Sequence, residues 1–71
     1  MIFYDTNALL KLQEKAFESP FIISSVTLEE LDNIKSSHAK DEQLKYMARH
    51  VTELLKNFIN SYQVILYRPE F

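Results

Sequence analysis

The sequence predicts an α/β fold: a parallel β-sheet flanked by helices, with the element order β-α-β-α-α-β. Three observations carry this reading. Ile2-Phe3-Tyr4, Phe21-Ile22-Ile23 and Val64-Ile65-Leu66 are apolar runs without alternation, the pattern of strands buried on both faces. The segments between them have helical period, which supplies the long crossovers that parallel strands require. The chain contains no glycine, so the positive-φ turns of tight hairpins lack their usual residue.

The first run ends abruptly on Asp5, Thr6 and Asn7 before Ala8, Leu9 and Leu10 resume an apolar pattern at helical density. All three polar residues are good helix N-caps. An acid at the carboxyl end of a buried strand is also where open parallel sheets meet their ligands. Ala8, Leu9, Leu12 and Phe17 then form one apolar stripe among charged residues, predicting a helix over residues 7–17 that Ser19 and Pro20 stop. The second strand follows at residues 21–23, and a right-handed crossover is expected between the two.

Thr27-Leu28-Glu29-Glu30 has the Thr-x-x-Glu form of a capping box, which predicts a short helix beginning at Leu28. Leu28, Leu31 and Ile34 share its apolar face before the chain turns polar through residues 35–38. Over residues 39–60 the stripe Leu44, Met47, Ala48, Val51, Leu54, Leu55, Phe58 and Ile59 predicts a helix of roughly 30 Å. Residues 62–67 complete a third strand, and residues 68–71 trail away from it.

A chain of 71 residues allows one small domain, residues 1–71, and its element order is half of a three-layer α/β/α domain. The net charge of −2 supplies no global field attracting nucleic acid or anionic lipid, so any contact with a polyanion needs a local patch or a bound cation. The lack of cysteine excludes disulfides and thiolate metal sites. No apolar run approaches the roughly 18 residues of a membrane span, and the expected compartment is the cytoplasm.

The pair Asp5 and Glu30 is the candidate for chemistry. In a parallel sheet both acids lie at one carboxyl edge, Asp5 at the end of a strand and Glu30 in the first turn after the adjacent strand. Neighbouring strands are about 4.8 Å apart, a spacing that lets two carboxylates share a divalent cation. Oxygen-only ligation favours Mg²⁺ or Mn²⁺ over zinc. The alternative is that each acid is a helix cap and nothing more; spacing by itself leaves both open. Lys45, Arg49 and Lys56 lie near one side of the long helix, with Lys35 and Lys40 before it. Pairing of Asp41 with Lys45 and of Arg49 with Glu53 explains most of that charge as a solvated face. Phe17, Phe21, Phe58 and Tyr62 occupy apolar positions and are expected in the core.

FYDTNALL, then FIISSVTLEELDNIK, then the amphipathic QLKYMARHVTELL resembles the PIN-domain nucleases, most closely those found beside PhoH-type ATPases. The likeness runs from residue 2 to about 67. It implies a parallel α/β/α sandwich with strand order 3-2-1 that uses clustered acids and Mg²⁺ or Mn²⁺ to hydrolyse phosphodiesters, usually in RNA, with single-stranded RNA the expected substrate. By position, Asp5 matches the family's first acid and Glu30 its second. Asn7 matches the polar residue that orders the site, and Thr6 and Glu29 are supporting neighbours. The family's further acids and strands have no counterpart after Tyr67 except Glu70, so the resemblance implies that residues 1–71 are the amino-terminal half of a PIN-like domain, with weak or absent activity by itself. The resemblance also implies an adjoining ATPase domain in a longer protein. The competing expectation is a non-catalytic PIN-like interaction module that forms a homodimer through unfinished sheet edges.

Overall fold

The computed structural model describes residues 1–38 and 41–66. In chain order they form β1 (Ile2–Phe3), α1 (Thr6–Leu12), a 3-10 segment (Gln13–Glu18), β2 (Phe21–Ser24), α2 (Ser25–Ser36), α3 (Glu42–Asn57), a 3-10 turn (Ile59–Ser61) and β3 (Tyr62–Ile65). The expected element order and the parallel sheet are both found. The strands lie in the order β1-β2-β3, with Phe21 opposite Ile2 and Tyr62, and Ile22 opposite Phe3 and Gln63. Read from the other edge, this is the 3-2-1 order that the resemblance implies.

Both crossovers step the same way across the sheet, so right-handed connections set all the helices on one face. The burial of β2 agrees: Phe21 and Ile23 are fully buried, whereas the alternating Ile22 and Ser24 are half-buried. Phe21 and Ile23 join Leu9, Leu10, Ala16, Leu31, Ala48, Val51 and Leu55 in a single core. Across the other face Phe3 is 55% exposed and Ile65 51%. Among the described residues the fold is thus one sheet and one helical layer, the incomplete form of the three-layer arrangement.

The helix expected over residues 7–17 is broken. α1 stops at Leu12, and Gln13 takes φ 50° and ψ −122°, a left-handed conformation that would suit glycine, in a chain that has none. Its backbone N–H still donates to the Leu9 carbonyl, and its side chain donates to the Leu10 carbonyl at 3.3 Å. The kink redirects the chain into the 3-10 segment, which buries Ala16 and sets the Phe17 ring edge-on to Phe21 at 5.1 Å. Continued helical winding would have ignored that contact.

α3 spans Glu42–Asn57, shorter than the expected 39–60. Its first residue is set by Asp41, whose Oδ1 accepts the Gln43 N–H at 3.0 Å. Ala39 and Lys40 lie outside the described residues. The helix packs its Ala48, Val51 and Leu55 stripe into the core as the periodicity requires. At its far end the Tyr62 hydroxyl donates to the Leu55 carbonyl at 2.8 Å, tying α3 to the start of β3, and burial pushes this phenol above its usual pKa. β3 ends at Ile65; Tyr67 and the residues after it lie outside the described range. Phe17, Phe21, Phe58 and Tyr62 form one aromatic cluster, but only Phe21 is fully buried: Phe17 and Tyr62 pack against the core half-buried, and Phe58, expected in the core, is 48% exposed because it lies just past the end of α3.

A contact invisible to local pattern ties the 3-10 segment to α3: His50 Nε2 lies 2.7 Å from Glu14 Oε1, across 36 residues. The hydrogen bond to His50 holds the Glu14 carboxyl below its ordinary value of 4.5.

Two outcomes follow for stability. Gln13→Gly removes the Cβ clash of the left-handed conformation, a relief of about 1–3 kcal/mol, and adds back up to about 1 kcal/mol of unfolded-chain entropy. A net gain of about 1 kcal/mol is expected, raising Tm by roughly 4–8 °C in a domain of this size, while Gln13→Ala, which keeps the Cβ, gives no such gain. Glu14 has a depressed pKa in the folded state, so its contribution is present above pH 4.5 and lost as pH falls through the lower folded value. Melting curves of Glu14→Gln should therefore lose less stability below pH 4.5 than those of the parent chain, with equal slopes counting against the contact.

Candidate functional site

β1 delivers Asp5 to the carboxyl edge of the sheet. The Tyr4 N–H donates to the Ile22 carbonyl at 2.9 Å, extending the β1–β2 pairing to the residue before Asp5. Asp5 itself is extended, with φ −86° and ψ 178°, and caps α1: its Oδ1 accepts the Ala8 N–H at 2.8 Å. The cap uses one carboxylate oxygen. Among the described residues no donor meets the other, and the side chain is exposed.

Glu30 arrives from α2, but not as a capping residue. The helix begins at Ser25, three residues before the expected Leu28, because β2 runs into it without a loop and Ser24 serves both as the last strand residue and as the N-cap. Ser24 Oγ accepts the Thr27 N–H at 3.3 Å. The expected box of Thr27 with Glu30 is therefore absent: Thr27 is buried in the first turn, and Glu30 is too far into the helix to reach the cap. Two serines stood ahead of the threonine in the sequence, and serine is the stronger cap.

Freed from that role, Glu30 meets Thr6. The Thr6 hydroxyl donates to Glu30 Oε1 at 2.6 Å, joining residues 24 apart in sequence. Thr6 is only 8% exposed, whereas the Glu30 side chain lies at the surface. Because Thr6 follows Asp5 directly, this bond brings the second acid to the residue next to the first. Both acids are thus engaged by one short segment: Ala8 donates to Asp5 and Thr6 donates to Glu30.

Asn7 is exposed on the first turn of α1, where it lines an open groove of about 610 Å³ with Ala8, Leu10, Lys11, Leu44 and Met47. Among the described residues it makes no hydrogen bond to either acid. Glu29 is exposed and likewise makes no hydrogen bond or ion pair there. No group of three or more His, Asp or Glu side chains converges among the described residues. The arrangement is two carboxylates and a hydroxyl at the carboxyl edge of a parallel sheet.

The basic residues of α3 are mostly committed elsewhere. Lys45 is 9% exposed, its stem packed in the helix interface and its Nζ 3.5 Å from Glu42 Oε1. Lys56 pairs with Glu53 at 3.8 Å, and on α2 Lys35 pairs with Asp32 at 3.8 Å. The ion pairs are at i,i+3, not the i,i+4 expected for Asp41 with Lys45 and Arg49 with Glu53. Asp41 stands before the helix as its N-cap, and Lys45 pairs instead with Glu42 inside the helix. Self-pairing along the helices accounts for these charges, with different partners from those the spacing suggested, and Lys45 is buried rather than solvated as expected.

No helix among the described residues is long and apolar enough to cross a membrane. No curated protein and no solved structure matches the chain. The sequence model of the PIN domain, in contrast, matches residues 2–68, all but the first residue and the last three. With the parallel sheet, its strand order and the acid at the end of β1 already established, the chain belongs to the PIN domain family.

Proposed function

We propose that this chain carries part of the catalytic edge of a metal-dependent nuclease, with Asp5 and Glu30 holding Mg²⁺ or Mn²⁺ and single-stranded RNA as the substrate. PIN domains are in general metal-dependent nucleases that act on RNA, and family membership supports the reaction class. One observation about this chain supports the site: residues 5–8 engage both acids through hydrogen bonds and leave each a second oxygen without a partner among the described residues. The donor set fits the ion. Mg²⁺ keeps several waters and is commonly bound through one or two carboxylates together with substrate phosphate oxygens, so two protein carboxylates suffice for a weak site. Such a cation polarises a phosphoryl oxygen and lowers the pKa of a bound water. With a net charge of −2, the chain relies on it to meet a phosphate.

The residues divide the work simply. Asp5 and Glu30 orient the cation, and Asn7, on the adjacent turn, borders the groove through which a strand of RNA would approach. Glu29, one residue from Glu30, is a reserve acid at the same edge. Hydrolysis at useful rates needs further acids, and this chain by itself is expected to be weak or inactive. The reading extends to residues 1–71 as the amino-terminal half of one PIN domain with a PhoH-type ATPase domain alongside, which the motif likeness supports, and to the cytoplasm as the default compartment.

A second reading has its own observation. The sheet face away from the helices exposes Phe3 and Ile65, and parallel sheets are ordinarily covered on both faces. A non-catalytic module that pairs with a second copy accounts for that surface.

Thermal melts with Mn²⁺ test the first reading. At ten times Kd, a cation that binds only the folded state adds about 1.4 kcal/mol, a Tm rise of roughly 4–8 °C per kcal/mol. Asp5→Asn keeps a good cap, and Glu30→Gln keeps an acceptor for Thr6; both should lose the Mn²⁺ shift while folding normally. Equal shifts in all three proteins would leave Asp5 a cap only and remove the site. Sedimentation of the same samples addresses the second reading, for which a dimer without a Mn²⁺ shift is the expected result and a monomer at high concentration the contrary one.

A further inference from the structure

We infer that Thr6 is a positioning residue, which holds the Glu30 carboxylate in one orientation at the carboxyl edge of the sheet. The inference rests on the metal-site reading for its consequence but not for its geometry. Two hydroxyls inside the helices bond backward to their own backbone: Thr52 Oγ1 donates to the Ala48 carbonyl at 2.8 Å, and Ser36 Oγ to the Asp32 carbonyl at 3.0 Å. Thr6 opens α1 and has no helical carbonyl four residues behind it, so its proton is free to go elsewhere. It goes across the fold to Glu30.

The 2.6 Å separation falls in the range of hydroxyl-to-carboxylate bonds, which are roughly twice as strong as neutral ones. Thr6 itself is fixed, because its side chain is buried and its backbone opens α1 immediately after the Asp5 cap. Glu30, by contrast, is a long exposed side chain with no other partner among the described residues, and unrestrained it would sample many rotamers. The bond therefore turns a mobile acid into a held one. It occupies Oε1 and leaves Oε2 for a cation or water. Asp5 is held the same way by Ala8, so the two acids keep one oxygen each on the same segment. Hydrogen-bonded support of a ligating carboxylate is worth 10- to 100-fold in metal affinity.

The test uses the whole chain and two readouts. ¹³C relaxation of the Glu30 side-chain methylenes, without metal, reports whether the carboxylate is held; Mn²⁺ titration reports affinity. Thr6→Val keeps the shape and removes the hydroxyl, while Thr6→Ser keeps the hydroxyl and guards against a packing artefact. The expected result is an ordered Glu30 in the parent chain and Thr6→Ser, a rotamer-averaged Glu30 in Thr6→Val, and Mn²⁺ affinity 10- to 100-fold lower in Thr6→Val only. A Glu30 as ordered in Thr6→Val as in the parent, or already averaged in the parent, overturns the inference. If Thr6→Val does not fold, the parent and Thr6→Ser decide: an averaged Glu30 in either overturns it, and order in both supports it. An ordered Glu30 that depends on Thr6, with no Mn²⁺ binding in any variant, upholds the positioning role and instead removes the metal-site reading.

Discussion

The ring of Phe21 is the contact through which the segments of this fold meet. It is fully buried on the central strand, with Tyr4 at 5.3 Å from the end of β1, Phe17 at 5.1 Å from the 3-10 segment and Tyr62 stacked at 5.6 Å from β3. Each such aromatic pair adds about 0.5–1.5 kcal/mol beyond the burial of its surface. In a domain expected to be stable by only about 0.05–0.15 kcal/mol per residue, these pairs are a large share of the margin. The register places Ile2 and Tyr62 directly opposite Phe21, and a slip of one residue in β3 would turn Gln63 instead of Tyr62 toward the helices.

The demands of that ring explain the least regular part of the backbone. To bring Phe17 against Phe21 the chain leaves α1 at Leu12 and accepts a left-handed Gln13, held by hydrogen bonds to the Leu9 and Leu10 carbonyls. Glu14, carried along by the turn, reaches His50 and fastens the 3-10 segment to α3. A strained residue, a packing contact and a surface hydrogen bond are three consequences of one requirement.

At the carboxyl end of β1, residues 5–8 engage both acids by hydrogen bonds. Asp5 caps a helix with one oxygen and presents the other; Thr6 begins the same helix and spends its hydroxyl on Glu30. Capping and ligation are therefore not alternatives at Asp5, because a carboxylate has enough lone pairs for both. The choice between cap and site does not arise at Glu30 either, since Ser24 has taken the cap. The family match covers this segment, since the PIN domain spans residues 2–68, and Asp5 stands between the last β1–β2 hydrogen bond, from Tyr4 N–H, and the cap that opens α1.

The sequence by itself determined the elements and their order. Unbroken apolar runs marked the strands, and a stripe of residues at helical spacing marked α3, because burial imposes the period of the local geometry on the pattern of side chains. It also marked Asp5, since an acid that ends an apolar run is visible without any partner. What it did not contain was distance. The break in α1 depends on where Phe21 sits, and the start of α2 depends on β2 ending in a serine already extended into the cap position. Pairs such as Thr6 with Glu30 and Glu14 with His50 join residues 24 and 36 apart. Periodicity is a property of one segment, whereas a hydrogen bond between segments requires two backbones to be placed in space, and only the packing around Phe21 does that.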